Sequence, residues 1–336
     1  MRYSRQQLFK PIGETGQAKL KQKHVLIVGA GALGSAAAEM LVRAGVGTIS
    51  IVDRDYVDWS NLQRQQLYDE QDAKNETPKV IAAKNRLQEV NAEINVLEYI
   101  MDVQASTLEQ LIDGIDLIID GTDNFDIRLI INDISQKHSI PWIYGSCVGS
   151  FGMTYTVIPN ETPCLHCLLK IIPANGMTCD SVGIISPAVQ IVGSYQVAEA
   201  LKLLVGDNDS IRKGLLTFDV WKNQHYTMGV QHAKNSECPS CGEKPVFPYL
   251  SYENETKTEA LCGRNTVQIR PARKGNVDLK QLAEKLSPHG KVSANPYLVS
   301  LHLPTYRLVF FQDGRVFIHG TNNIIEAKKL YYQFTG

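Results

Sequence analysis

Along the first half of the chain, short runs of β-branched and apolar residues alternate with stretches whose apolar residues recur every three or four positions. That rhythm predicts repeated strand–helix units. Val25-Leu26-Ile27-Val28 reads as a buried strand ending in Gly29-Ala30-Gly31-Ala32-Leu33-Gly34, with a helical pattern over residues 35–44. Residues 48–52 form a second strand closed by Asp53. Val80, Ala83, Leu87 and Val90 stripe a helix opened by Thr77-Pro78-Lys79, where a first-turn proline is tolerated. Leu117-Ile118-Ile119 is a third strand, running into Asp120-Gly121-Thr122-Asp123-Asn124 before a helix that begins near Phe125. Residues 141–146 and 153–158 read as further strands, and Pro187 starts a long apolar helix that Gly206 stops. The expected fold class is α/β, a Rossmann-like, mostly parallel sheet with helices on both faces.

Past Cys241 the pattern changes. Pro245, Pro248 and the polar stretch 251–259 mark a linker, so the expected organisation is one domain over 1–245, a linker over 246–260 and a small α+β domain over 261–336. In the last, strands at 267–270, 307–311 and 315–319 accompany helices striped by Leu279, Leu282, Ala283 and Leu286 and spanning 324–334. Asp313-Gly314 is a two-residue hairpin signal. The sequence of this part carries no glycine-rich phosphate loop or metal cluster, and its Cys262 reads as a structural thiol.

Length and charge narrow the classes. A chain of 336 residues can bury a large core, and a net charge of −1 gives no nucleic-acid footprint. The start lacks a signal-peptide hydrophobic region, and no apolar run reaches the roughly 20 residues of a membrane helix. A soluble, cytoplasmic protein without a membrane partner is expected. In that compartment seven cysteines point to metal or thiol chemistry rather than a disulfide framework.

The strand–turn–helix at Gly29, Gly31 and Gly34 suits a phosphate at a helix N-terminus. Asp53 stands 19 residues beyond Gly34, near the spacing at which a carboxylate meets a ribose hydroxyl, so an adenine nucleotide is expected. Lys79, in the first turn of its helix, opposes the helix dipole, and an anion explains it better than stability does. Asp123 falls beyond the carboxyl end of a strand, where it is either a metal ligand or a helix N-cap. Cys164-Leu165-His166-Cys167 and Cys238-Pro239-Ser240-Cys241 match a closed, structural four-thiolate zinc site, with His166 a spectator. Cys179, on a polar segment, is a candidate nucleophile or an incidental thiol.

Together with Arg2-Tyr3-Ser4-Arg5-Gln6, Asp53-Arg54-Asp55, Ser60-Asn61-Leu62-Gln63-Arg64-Gln65, Pro78-Lys79 and Thr122-Asp123-Asn124, these motifs make residues 1–245 resemble the sulfur-carrier adenylyltransferases of the MoeB/ThiF/HesA type, relatives of ubiquitin-activating enzymes. The resemblance implies that Asn61, Arg64, Lys79 and, from the partner subunit of a homodimer, Arg5 contact the phosphates of ATP. It implies that Asp123 holds Mg²⁺ and that Cys179 matches a family thiol used for thioester or acyl-disulfide chemistry in some members. The implied activity is adenylation of the C-terminal glycine of a ubiquitin-like carrier ending in Gly-Gly. Residues 246–336 do not resemble the rhodanese domain of some members, so sulfur would come from a separate persulfide-bearing enzyme. The resemblance leans slightly to the molybdopterin branch over the thiamine branch. An NAD-dependent oxidoreductase would share the glycine motif and Asp53 but leave Arg64, Lys79 and Asp123 idle. A zinc-stabilised nucleotide sensor would bind ATP without turning it over.

Overall fold

Five strands, β1 (His24–Val28), β2 (Thr48–Asp53), β3 (Asn95–Ile100), β4 (Leu117–Asp120) and β5 (Trp142–Val148), lie parallel in the order β3-β2-β1-β4-β5. Strands β6 (Phe151–Val157), β7 (Gly214–Asp219) and β8 (Gln224–Gly229) extend the sheet antiparallel from β5. The computed structural model describes residues 1–169, 171, 182–251, 258–261, 265–270 and 276–335, so Cys179 and Cys262 lie outside the described residues. The chain divides into two units, one of Met1–Lys74, Pro78–Gly176 and Ile184–Asn254, the other of Asn75–Thr77, Met177–Gly183 and Glu255–Gly336.

Among the described residues, the α-helices of the first unit are α1 (Ser4–Gln7), α2 (Gly13–Leu20), α3 (Ala32–Ala44), α4 (Glu70–Lys74), α5 (Lys79–Val90), α6 (Ala105–Glu109), α7 (Phe125–His138), α8 (Leu165–Leu168) and α9 (Ser186–Val205). Alternation along β1 sorts them onto the two faces of the sheet. Val25 and Ile27 join Ile49, Ile119, Leu41 of α3, Leu87 of α5 and Leu204 of α9, whereas Leu26 and Val28 join Ile118, Leu108 of α6 and Ile131 and Ile134 of α7. Both faces of the central strands are therefore dry, which is why β1 and β4 read as nearly unbroken apolar runs. Cutting a fully buried leucine such as Leu26 to alanine would cost about 2–5 kcal/mol.

The second unit carries an antiparallel sheet of β9 (Thr258–Leu261), β10 (Thr266–Ile269), β11 (Lys291–Ala294), β12 (Leu298–His302), β13 (Arg307–Phe311) and β14 (Val316–His319), ordered β11-β12-β13-β14-β10-β9. Helices Leu279–Leu286 and Ile324–Thr335 supply Leu286, Ala327 and Phe334 to the cluster formed with Val267, Leu301, Leu308 and Ile318. The β13–β14 connection is one residue longer than the Asp-Gly signal suggests. Phe311 N donates to Arg315 O at 2.9 Å, and only Gly314, at φ +87°, is left-handed. Asp313 instead accepts from Arg315 Nε at 2.6 Å, a local ion pair that holds this longer turn.

Candidate functional site

Val28 pairs with Val52 on one side and Asp120 on the other, so β1, β2 and β4 deliver Gly29, Asp53 and Gly121 side by side at the carboxyl edge of the sheet. Gly29 has φ +94°, and a Cβ there would lie 2.7 Å from Gly121 O. A Cβ on Gly34 would lie 1.8 Å from Gly29 O, and one on Gly121 would lie 2.6 Å from the same oxygen. Packing within the protein accounts for these three glycines. Gly31 is different. The nearest atoms to its would-be Cβ are Gly121 O at 3.8 Å and Gln65 Nε2 at 4.0 Å, so the space a side chain would fill is open at the start of α3, whose N-cap Gly31 offers no side chain to the first amides. A phosphate fits this cradle.

Both backbone polar groups of Ala30 are pinned. Its N–H donates to Asp53 Oδ2 at 2.6 Å, and its carbonyl accepts from the Tyr68 hydroxyl at 2.6 Å. Asp53 Oδ1 accepts from Asp55 N at 2.7 Å, and each carboxylate oxygen keeps a second lone pair for a ribose hydroxyl. Burial pushes the Asp53 carboxyl above the usual carboxylate range, and the Lys79 charge works against that rise. Lys79 is 3% exposed at its side chain and reaches Asp55 Oδ2 at 3.2 Å, while its own N–H donates to Asp55 O at 2.9 Å. A buried cation at a helix start is thus held by the loop that follows Asp53.

The loop after β2 is a short 3₁₀ turn, Trp59–Asn61. Asn61 is buried and accepts from Asp58 N at 3.1 Å, so the structure uses its side chain as a cap. Arg64 donates to Ser60 O at 2.8 Å from one guanidinium nitrogen. Gln65 is 3% exposed, and its Oε1 has no hydrogen-bond partner among the described residues. Tyr68 was not among the residues expected at this site, its one sequence signal being a hydroxyl among core residues.

Asn124 caps α7, its Oδ1 accepting from Asp126 N at 2.8 Å and Ile127 N at 3.2 Å. Of the two readings of Asp123, the N-cap is therefore taken by its neighbour. Asp123 is exposed, and no hydrogen bond is seen to it among the described residues, leaving its oxygens available to a cation. The loop that presents it is built on Arg128, which sequence reasoning missed. Arg128 pairs with Asp120 at 2.8 Å and donates to the carbonyls of Thr122 at 2.7 Å and Gly145 at 2.8 Å. Arginine on the apolar stripe of α7 is the signal that could have found it.

Among the described residues, Arg5 is the predicted phosphate contact that its own chain does not bring to this edge. Gln6 donates to Ala44 O at 2.8 Å, and Asn91 donates to the Tyr3 hydroxyl at 2.8 Å, which fastens α1 to the C-terminal ends of α3 and α5. Those ends lie at the opposite edge of the sheet from the glycine turn, and α3 alone is about 20 Å long at 1.5 Å per residue.

The four predicted thiols do meet. Cys164, Cys167, Cys238 and Cys241 place their sulfurs within 4.8 Å of one another. Separations of 3.9 Å (Cys164–Cys167), 3.7 Å (Cys164–Cys238) and 3.5 Å (Cys167–Cys241) are too long for disulfides. They sit close to the ~3.8 Å edge of a tetrahedron with 2.3 Å metal–sulfur bonds. Gly242 closes the second knuckle, where a Cβ would lie 2.3 Å from Ser236 O. Hydrogen bonding among the crowded thiols draws Cys167 well below the usual thiol range and raises Cys164. His166 is outside the cluster, its Nδ1 3.5 Å from Ser240 Oγ.

Comparison with known proteins agrees with this geometry. Residues 3–240 match the ThiF family. The chain belongs to that family. Among its relatives, the sulfur carrier protein ThiS adenylyltransferase of Bacillus subtilis is 54% identical over 336 residues, 100% of this chain and 99% of its own length. The molybdopterin-synthase adenylyltransferase of Escherichia coli is 33% identical over 244 residues, 72% of this chain and 96% of its own length. A crystal structure of E. coli MccB with ATP superposes with a TM-score of 0.62 at 21% identity, covering 72% of this chain and 74% of that one, so the two share a fold. Among the described residues, no helix of this ThiF-family chain is long and apolar enough to cross a membrane.

Proposed function

We propose that the protein is a nucleotidyltransferase that uses ATP to adenylate the C-terminal glycine of a ubiquitin-like sulfur carrier ending in Gly-Gly. One observation carries the reading: three adjacent parallel strands bring the open cradle at Gly31, the pinned Asp53 and the exposed Asp123 to one edge, where Lys79 is tied to the β2 loop. Asp53 takes a ribose hydroxyl, and Arg64 and Lys79, with Asn61, take phosphate oxygens. Asp123 would hold Mg²⁺, which offsets phosphate charge. A carboxylate oxygen of the carrier attacks the α-phosphorus, the bond to the bridging oxygen breaks, and pyrophosphate leaves. No general base is needed, because a carboxylate is already ionised at neutral pH. Catalysis then rests on charge compensation and alignment. An oxidoreductase would give Lys79, Arg64 and Asp123 nothing to do.

The cysteine cluster fits Zn²⁺, held by four thiolates with no open position, and its role is to staple the fold. Arg5 acts from the partner subunit of a homodimer. Sulfur arrives from a persulfide-bearing donor, and Cys179 serves that later step rather than adenylation. On the branch, the molybdopterin lean of the sequence reading gives way to thiamine, because the ThiS adenylyltransferase is similar over the whole length and the molybdopterin-synthase enzyme over 72%.

ATP–pyrophosphate exchange tests the reading. Label should enter ATP when Mg²⁺ and a ThiS-type carrier are both present, and a MoaD-type carrier should support it weakly. Exchange with neither carrier, or a nicotinamide absorbance change in its place, would overturn the assignment. Cys179→Ala should keep exchange, since adenylation asks for no enzyme nucleophile.

A further inference from the structure

Gln65 is 3% exposed, and its Oε1 is buried without a hydrogen-bond partner among the described residues. Leaving a buried amide oxygen in that state is unfavourable, and a methionine would fill the same length without the penalty. A glutamine kept at such a position calls for an explanation beyond packing. The side chain is also firmly placed. Gln65 N donates to Asn61 O at 3.0 Å, and Gln65 O accepts from Tyr68 N at 3.3 Å. Just beyond it, Gln66 Nε2 donates to Glu39 of α3 at 2.8 Å and the Tyr68 hydroxyl to Ala30 O at 2.6 Å. The segment that carries Gln65 is thereby fastened both to α3 and to the glycine turn that starts it.

The other end of the amide faces the cradle. Apart from chain neighbours of Gly31, Gln65 Nε2 is the nearest side-chain atom to the place where a Cβ on that glycine would stand, at 4.0 Å. Gly31 has φ −75° and ψ −150°, in the extended region, so handedness does not call for glycine there. What a side chain would take away is the space between the first amides of α3 and Gln65. One residue earlier, the Ala30 N–H is held by Asp53 Oδ2. A nucleotide whose ribose meets Asp53 therefore brings the phosphate joined to that ribose, the α-phosphate, nearest to Gly31. An amide nitrogen donates and phosphate oxygens accept, so the two are matched.

We propose that Gln65 is a direct nucleotide contact, its Nε2 donating to an oxygen of the α-phosphate cradled at the start of α3. This rests on the ATP reading above and adds to it a contact with the part of ATP that stays on the carrier. The outer phosphates leave as pyrophosphate, whereas the α-phosphate and its ribose pass into the acyl adenylate. Gln65 thus holds substrate and product by the same group, and it helps fix the phosphorus that the carrier's carboxylate attacks.

Gln65→Met in the full-length protein keeps the length of the side chain and removes both polar atoms. Its Tm without nucleotide should equal or exceed that of the wild type, because an unpartnered oxygen leaves the interior. Its Kd for AMP and for a non-hydrolysable ATP analogue, measured by calorimetry, should rise by the same factor, about tenfold or more, the loss expected with a hydrogen bond to a charged group. Gln65→Glu should bind both ligands more weakly still, since it turns an acceptor towards phosphate. Unchanged AMP affinity in Gln65→Met would overturn the inference, whether or not ATP binding falls. A glutamate variant that binds better than the methionine one would do so too, by making the facing group a donor such as a ribose hydroxyl. A lowered Tm with equal losses for nucleotide and carrier would make Gln65 a packing residue instead. Wild-type protein that binds neither AMP nor ATP would overturn the nucleotide reading, and this inference with it.

Discussion

Asp120 and Arg128 form a 2.8 Å ion pair sealed from solvent, 0% and 8% exposed at their side chains, and the same guanidinium closes on the carbonyls of Thr122 and Gly145. Removing one partner of such a pair strands a buried charge, so Arg128→Ala should destabilise the fold by about 3–5 kcal/mol. Arg128→Lys keeps the charge but offers one ammonium to groups that a planar fork serves together. It should lose exchange activity more than stability. Denaturant melts and exchange on the same samples separate the two, and a loss under about 1 kcal/mol for the alanine variant would show that the loop has other support.

Asp123→Ala should abolish exchange and leave the melt unchanged, because the side chain is exposed and α7 is capped by Asn124. Near-full exchange in the folded variant would remove Asp123 from the metal assignment. Arg64→Ala should lower turnover about a hundredfold or more, the usual consequence of losing a transition-state phosphate clamp.

Freshly purified, reduced protein should hold one zinc per chain, measured by elemental analysis. Because ligands on α8 and on the distant second knuckle are brought together, chelation should lower Tm before it affects exchange. Cys238→Ser should give zinc-poor or insoluble protein. Metal-free protein with an unaltered melt would make the cluster a set of free thiols.

The pH response of the cleft follows from Asp53. A carboxyl whose pKa rises on folding binds its proton more tightly in the native state, so between about 3.9 and the raised value, stability without nucleotide falls as pH rises. Lys79 opposes the rise, so Lys79→Met should move the Asp53 midpoint further up and widen that window. Carbon-13 NMR of the aspartate carboxyls against pH reads the midpoint. A midpoint that stays in place would mean the lysine charge acts on Asp55 alone.

Arg5→Ala and Asp123→Ala should each be inactive by itself. In the homodimer proposed above, random re-pairing makes half the dimers mixed with both residues intact at one of their two sites, so about a quarter of normal activity should return. Exchange of subunits without recovery would place Arg5 in its own subunit's chemistry or leave it a solvated arm.

Much of the nucleotide edge was legible because it is local: the apolar run at 25–28, the glycines after it and Asp53 all lie within two strands of one another. Both cysteine knuckles were legible because thiol spacing is set by metal geometry. Arg128 was not, since its partners at 120, 122 and 145 come from β4, the loop after it and β5, and a charge on an apolar helix stripe signals a buried partner without naming it. Gly34 looked like a phosphate glycine, yet the carbonyl of Gly29 already demands it. The allegiance of residues 75–77 was invisible for the same reason, their partners standing more than two hundred residues away.

Gly29, Gly34 and Gly121 touch backbone to backbone, and Gly29 and Gly121 donate to Val52 and Val28 at 2.8 Å each. Three main chains in contact leave the turn no slack, so its shape exists before any ligand arrives. Little ordering entropy then remains to be lost there when ATP binds. The amides of Gly29 and Gly121 should exchange hydrogen only when the whole sheet opens, at the same slow rate relative to global unfolding with nucleotide or without it.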